Sequence, residues 1–266
     1  MQRREFLAST LAVSALSVAG TAGSLRAAAG GDKDREFYQL RRYHLTNGPQ
    51  RKLCDDFFRE TLVPALNRLG ISPVGVFTLT IGPETPSFYL LLPSVSLEKL
   101  TLVEFNLAQD EQYMKTGAAF LSAPAKEPAY VRMESWLMQA FEKMPKLTLP
   151  AASTAHSARV FELRTYESPS DQDHKLKVEM MQSEGGIFAN AGFWPVFYGD
   201  TLIGSRLPNL TYMLGYESTA ERDRKWGAFV NSPEWKSLSG QARYAFEELV
   251  SNITNLILTP TTYSQI

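Results

Sequence analysis

Two stretches of this chain lie on one another at a spacing of 122 to 123 residues, and that register limits what it can fold into. Tyr38-Gln39-Leu40-Arg41-Arg42-Tyr43 falls over Phe161-Glu162-Leu163-Arg164-Thr165-Tyr166. Pro73-Val74 falls over Pro195-Val196, Tyr89-Leu90-Leu91 over Tyr212-Met213-Leu214, and Tyr113 over Trp235. Two copies are a duplication; a solenoid needs three or more stacked units.

Each copy reads β-α-β-β-α-β. In the first, 37–43 is a strand broken by Asn47-Gly48-Pro49, and 50–69 is helical, with Leu53, Phe57, Leu62, Leu66 and Leu69 near one face. Pro64 predicts a kink or a fresh start, and Gly70 a stop. Strands at 74–81 and 88–92 flank Gly82-Pro83, a helix covers 97–113, and 135–141 is the last strand. In the second copy, 160–166 is a strand. Ser170 or Asp171 caps a helix that runs to a stop at Gly185-Gly186. Strands follow at 195–198 and 210–217, Ser218-x-x-Glu221 is a capping box, Pro233 opens a short helix, and 252–258 is the last strand. Such a unit is ferredoxin-like, with helices on one face of its sheet and the other face bare. One unit cannot bury both faces, so two pack bare face to bare face. The expected class is α+β, with tandem ferredoxin-like βαββαβ repeats pairing as an α/β barrel.

Strand alternation divides the side chains into two sets. Phe161 and Leu163 point one way; Glu162, Arg164 and Tyr166 point the other, as do Gln39, Arg41 and Tyr43 in the first copy. The expectation is that the apolar set packs under the helices and the polar set faces the space between the sheets. Arg41, Tyr43, Glu162, Arg164 and Tyr166 are therefore candidate ligand-binding residues, because arginine offers a planar donor fork to an anion. The structural alternative has Arg164 pairing with Glu162 or Glu167, and Arg41 with a carboxylate of the opposing sheet. Trp194, beside Pro195, is a candidate for a pocket mouth, while most of the other aromatics in the second copy read as core.

Other chemistry is thin. The three histidines, His44, His156 and His174, have no metal-ligand spacing, and no metal is expected. His174 lies among Asp171, Asp173, Lys175 and Lys177 and reads as part of a solvated face. No phosphate loop, dinucleotide fingerprint or nucleophile elbow is present, and a formal charge of −1 gives no footprint for nucleic acid. No catalytic residue is assigned.

The first 29 residues read as an export signal: Arg3-Arg4-Glu5-Phe6-Leu7, a short Ala/Ser-rich apolar run, and Ala27-x-Ala29. The paired arginines point to the twin-arginine type and an exported, periplasmic or extracellular protein; an ordinary secretory signal and an uncleaved anchor are the alternatives. The remaining divisions are 30–143 for the first copy, 144–158 for a Pro/Ala/Ser/Thr-rich linker, and 159–266 for the second copy. The single cysteine, Cys54, cannot form an internal disulfide and reads as a buried small hydrophobe.

Residues 159–238, with Phe-Glu-Leu-Arg-Thr-Tyr at their start and Ser-Pro-Glu-Trp near their end, resemble the NIPSNAP family; the first copy resembles it more weakly. The resemblance implies a dimeric α/β-barrel, ferredoxin-like fold and little chemistry. Some haem-binding and monooxygenase relatives of that fold use a helix histidine beside the sheet. Two classes of function follow: a protein that binds a small molecule or a protein partner through the inter-sheet cleft, or a small-molecule enzyme of the monooxygenase or haem-handling type. No cofactor is predicted, with haem and flavin left open. The oligomeric state is open between a monomer with an internal pseudo-dimer and a homodimer.

Overall fold

The structure is a computed structural model that describes residues 35–266. The expected export signal at 1–29 lies outside the described residues.

Eight strands form a closed, antiparallel barrel: β1 (Phe37–His44), β2 (Gly75–Ile81), β3 (Ser87–Ser94), β4 (Arg132–Ala140), β5 (Val160–Glu167), β6 (Trp194–Ile203), β7 (Asn209–Tyr216) and β8 (Asn252–Pro260). Around the barrel they run β1-β3-β2-β8-β5-β7-β6-β4. One arc is β4-β1-β3-β2, the other β8-β5-β7-β6, and the seams are β2–β8 and β4–β6. Both seams carry a register shift, at Leu79/Ile81 and at Leu137/Met138. Bulges of this kind sharpen strand twist, which helps a sheet to close.

The helices lie on the outer faces of the arcs. The first arc carries α1 (Pro49–Phe57) and α2 (Val63–Arg68), then the short α3 (Leu97–Thr101), α4 (Val103–Leu107), α5 (Glu111–Thr116) and α6 (Ala118–Leu121). Between the arcs lies α7 (Ala151–Thr154), inside the stretch expected to be a plain linker. The second arc carries α8 (Asp171–Asn190), α9 (Thr219–Asn231), α10 (Pro233–Ser239) and α11 (Phe246–Leu249).

Local sequence accounts for most of the ends. Ser170, Ser218 and Ser232 accept hydrogen bonds from the backbone N–H of Asp173, Glu221 and Trp235, capping α8, α9 and α10. Gly70 sits at φ 73° just past α2, where a left-handed residue ends a helix. Pro64 lies in the first turn of α2, and the residues before it, Phe58–Leu62, widen into a π turn instead of kinking. Two expectations fail. The helix over 97–113 is broken into pieces, with Ser96 and Asp110 each capping a fresh start. The helix expected to stop at Gly185-Gly186 runs to Asn190, because Met181, Ile187 and Phe188 on either side of the glycines are buried in the core. That packing outweighs about 1 kcal/mol of lost propensity per glycine.

The apolar residues form three clusters. Tyr38, Leu40, Phe77, Leu91, Met138, Phe161, Leu163, Phe197, Met213 and Leu258 fill the barrel interior. A second cluster lies between the first arc and its helices around Phe57, Phe58, Leu66, Phe88 and Phe120. A third, around Met181, Phe188, Tyr198, Tyr212 and Phe229, does the same for the second arc. The expected orientation is therefore inverted: Phe161 and Leu163 face the barrel interior, and Glu162 and Tyr166 lie under the helices. An eight-stranded barrel is just wide enough for its own side chains to fill. A charge at its centre would find few partners, whereas helices can bring arginines and tyrosines to one on the outer face.

Candidate functional site

The outer face of the second arc holds a filled polar network. Glu162, with no exposed surface, accepts from Arg164 Nη1 (2.9 Å) and Arg222 Nη2 (2.6 Å) on Oε1, and from the Tyr216 hydroxyl (3.0 Å) and Trp226 Nε1 (2.8 Å) on Oε2. Burial pushes the Glu162 carboxyl up, but the Arg222 hydrogen bond, the Arg164 charge and the Trp226 hydrogen bond outweigh it and hold it below its ordinary range. Arg164 also donates to the Tyr166 hydroxyl, which meets the Tyr212 hydroxyl at 3.0 Å. The Arg164 guanidinium lies 4.6 Å from the Trp226 ring centre. In the first arc, Arg41 is buried against Gln39 and, at 2.7 Å, Glu104. Glu104 belongs to α4 of the same arc, not to the opposing sheet. Tyr43 packs between Phe58 and Tyr130. Trp194 is half-buried under the Lys225 ammonium at 4.7 Å. Arg41, Tyr43, Glu162, Arg164, Tyr166 and Trp194 thus sit in sheet–helix seams whose groups satisfy one another.

His174 is not on a solvated face. It is buried, and its Nε2 meets Asp200 Oδ1 at 2.7 Å. A haem between sheet and helix does not fit these residues. The His174 Nε2 is committed to Asp200, and the layer beneath α8 is occupied by the Tyr198–Tyr212 stack at 5.4 Å and by Phe188. Among the described residues, no three His, Cys, Asp or Glu are placed to hold a metal ion.

The open site is one end of the barrel. The phase of β1 that carries Tyr38 and Leu40 inward continues through Arg42 and His44. Two hairpins arch over this end: Gly82-Pro83-Glu84-Thr85-Pro86 between β2 and β3, and Gly204-Ser205-Arg206-Leu207-Pro208 between β6 and β7. Together they enclose a cavity of about 390 Å³. Leu40, Leu163 and Leu256 line its floor; Arg42, Glu84, Arg132, Glu134 and Arg206 give it charge; Tyr89 and Trp136 give it aromatic walls. The volume is that of a small-molecule pocket.

The charges at the mouth converge on one atom. Oε2 of Glu84 accepts from Arg132 Nη2 (2.7 Å) and lies 3.2 Å from Arg42 Nη2 and 2.7 Å from His44 Nδ1. The other ring nitrogen of His44 meets Glu134, whose nearest Arg42 nitrogen is 4.0 Å away. Arg42 also donates to the Pro83 carbonyl (2.9 Å) and lies 5.5 Å from the Tyr89 ring centre, while its Nε is buried without a partner. Arg206 donates to Glu167 (3.0 Å) and to Thr254 (2.8 Å). Burial raises the Tyr89 phenol to about 12 against the opposing charge of Arg42, so its hydroxyl keeps its proton near neutrality. Asn209 ties the second hairpin down through the Ser205 and Arg206 carbonyls, and Trp136 Nε1 donates to the Ser205 hydroxyl. Gly204 lets that indole approach: a Cβ there would lie 2.2 Å from Trp136 Cδ1.

Sequence reasoning singled out Arg41 and missed Arg42 beside it. Two signals were available. Gly82 and Pro86 recur as Gly204 and Pro208 at the same spacing of 122, and the inward phase of β1 could be counted from Tyr38.

Comparison with known proteins places this architecture. Residues 161–265 match the NIPSNAP family model. A candidate monooxygenase from Lactobacillus acidophilus NCFM superposes with a TM-score of 0.56 at 9% identity, covering 85% of this chain and 94% of that one. Another, from Fusobacterium nucleatum subsp. nucleatum, superposes with a TM-score of 0.54 at 6% identity, covering 85% and 92%. These likenesses show a shared fold alone. A NIPSNAP-like domain protein from Burkholderia xenovorans is 24% identical over 41% of this chain and 90% of that one, with a TM-score of 0.36. No curated protein matches the chain. The matched span takes in nearly all of the second arc and its helices, and residues 161–265 of this chain are a NIPSNAP domain.

Proposed function

We propose that this protein binds a small organic carboxylate in the barrel mouth. The observation that carries the reading is the surplus of donors there. Arg42, Arg132 and His44 share a single oxygen of Glu84, and the Arg42 Nε has no acceptor. A guanidinium is most fully satisfied by a carboxylate that meets its fork with two oxygens. Glu84 meets Arg42 with one oxygen, and Glu134 stands 4.0 Å away, so a second carboxylate has donors waiting for it. Tyr89 and Trp136 supply flat apolar walls for the body of the ligand.

The test is calorimetric titration of the purified protein with benzoate and propionate, with benzylamine and propylamine as controls. The acids bind, the amines do not, and Arg42→Gln weakens the acids tenfold or more, the loss of one charged hydrogen bond of about 1.5–3 kcal/mol. A melting curve of Arg42→Gln separates lost binding from lost fold. Equal binding of the amines, or an Arg42→Gln variant that binds the acids like the wild type, overturns the reading.

A second reading is catalytic, and one observation favours it. His44 bridges Glu84 and Glu134, and both carboxylates line the cavity, which would let a proton pass between a bound molecule and the ring. Its test is the fate of the bound acid: a new product by NMR, absent with His44→Gln, supports it, and an unchanged acid overturns it.

Two further elements belong to this reading. The arcs β4-β1-β3-β2 and β8-β5-β7-β6 are tandem ferredoxin-like copies, supported by their equal strand order and the 122–123 residue spacing. Residues 1–29 direct export, supported by Arg3-Arg4 and the apolar run behind them. Fractionation of cells expressing the full chain and an Arg3→Lys/Arg4→Lys variant tests it; equal distribution of the two counts against a twin-arginine route.

A further inference from the structure

We infer that the acid bound in the mouth carries an uncharged oxygen, a hydroxyl or a carbonyl, at the end away from its carboxylate, and that Thr165 and Thr211 hold it; this rests on the carboxylate reading above. Two rows of side chains face each other at one depth of the barrel. Arg42 lies in register between Glu134 of β4 and Tyr89 of β3. Thr165 lies in register between Thr254 of β8 and Thr211 of β7. Residues paired across antiparallel strands share a face. Arg42 and Thr165 each follow by two a residue of the cavity floor, Leu40 and Leu163, so both rows point inward. β1 and β5 stand four strands apart in a ring of eight, which sets the charged row and the hydroxyl row on opposite walls. All six side chains line the cavity.

The hydroxyl row has a hydrogen to spare. The Thr165 and Thr211 hydroxyls lie 2.8 Å apart. That bond uses one of their two hydrogens and leaves the other, together with lone pairs, for a further partner. Among the described residues neither hydroxyl meets another protein group. Thr254 beside them already accepts from Arg206 Nη1 at 2.8 Å. No charge belongs to this row, and Arg206 already pairs with Glu167. The wall therefore suits a neutral oxygen, which a hydroxyl satisfies in full, better than a second carboxylate, whose charge would lose its water and meet no cation in the row. A ligand held by its carboxylate at Arg42 and by its far oxygen at Thr165 and Thr211 spans the opening from one arc to the other.

Calorimetric titration of the purified protein with acids that differ only by hydroxyl for methyl tests this. The pairs are 3- and 4-hydroxybenzoate against 3- and 4-methylbenzoate, and 4-hydroxyphenylacetate against 4-methylphenylacetate. In at least one pair the hydroxyl acid binds about three- to tenfold tighter, the contribution of one neutral hydrogen bond. Thr165→Val/Thr211→Val keeps the shape of the wall and removes that preference, whereas Thr165→Ser/Thr211→Ser keeps the hydroxyls and the preference. Melting curves show that each variant folds, and the wild-type comparison decides independently of them. Methyl acids that bind as tightly as their hydroxyl partners in every pair overturn this inference and leave the carboxylate reading standing. A preference that survives in the folded valine variant also overturns it. Terephthalate that binds tighter than every hydroxyl acid puts a second charge at that wall and overturns it too. Failure of every acid to bind overturns both.

Discussion

Glu84 and Arg206 stand at the same place in two matched hairpins on opposite sides of the barrel mouth, each in left-handed backbone at φ 61°. The hairpins share Gly82 with Gly204 and Pro86 with Pro208, yet place opposite charges at their turning points. The same inequality runs through the mouth. By strand register, Arg42 corresponds to Thr165, His44 to Glu167, and Glu134, opposite Arg42, to Thr254, opposite Thr165. Two hairpins of matched backbone thus carry a one-sided pattern of charge.

Arg206→Gly separates that frame from its charge. Glycine relieves the left-handed backbone, a gain of about 1 kcal/mol. The lost pair to Glu167 is half-exposed and contributes up to about 1 kcal/mol. Thermal melting is therefore expected to change little, while affinity for benzoate falls severalfold by calorimetry. A large drop in melting temperature would mean that the pair holds the hairpin in place.

Glu162→Gln is expected to destabilise the fold by about 3 kcal/mol near neutrality, since it leaves the partly buried Arg164 and Arg222 without their shared, fully buried carboxylate. The pH dependence has a definite sign. The folded Glu162 carboxyl is depressed, so its contribution is complete above the unfolded value of about 4.3 and is lost as pH falls through the lower folded value. Urea denaturation of both proteins from pH 7 downward is expected to show their difference shrinking below about pH 4.3. A gap that widens on acidification would contradict the network.

Lys177 and Glu184 form a pair at 2.9 Å with side chains 2% and 3% exposed. Removing one partner strands the other, so Lys177→Met alone is expected to cost about 3–5 kcal/mol. The double variant Lys177→Met/Glu184→Leu is expected to regain most of that loss, because an apolar pair avoids the desolvation of two charges. Chemical denaturation of the two singles and the double measures the coupling.

Cys54 has no exposed surface, and its Sγ lies 3.3 Å from the Ala129 carbonyl. Burial, with the Asp55 charge beside it, pushes its thiol up to about 12. A thiol reagent at pH 8 is expected to leave the folded protein unmodified and to label it at one site in urea. Rapid labelling without denaturant would contradict this packing.

Order and punctuation were legible in the chain because they are local. The eight strands, the serine caps at 170 and 218, and the stop at Gly70 follow from alternation and backbone chemistry within a few residues. The spacing of 122 to 123 residues was equally plain, since it rests on residues that recur. Which face of the strands turns inward was not local. All eight residues of β3 and all eight of β7 are buried, so neither strand has a solvent side to set its phase. Closure of the barrel decided it, by demanding an apolar centre and leaving Glu162, Arg41 and Arg164 to partners brought by the helices or lying along the strand. The mouth escaped for a further reason. A repeat draws the eye to what the copies share, Arg41 with Arg164 and Tyr43 with Tyr166, and those residues hold the seams. Arg42, His44, Glu84 and Arg206 differ from their counterparts, and only the folded barrel, by bringing two distant hairpins over one opening, gathers them around one cavity.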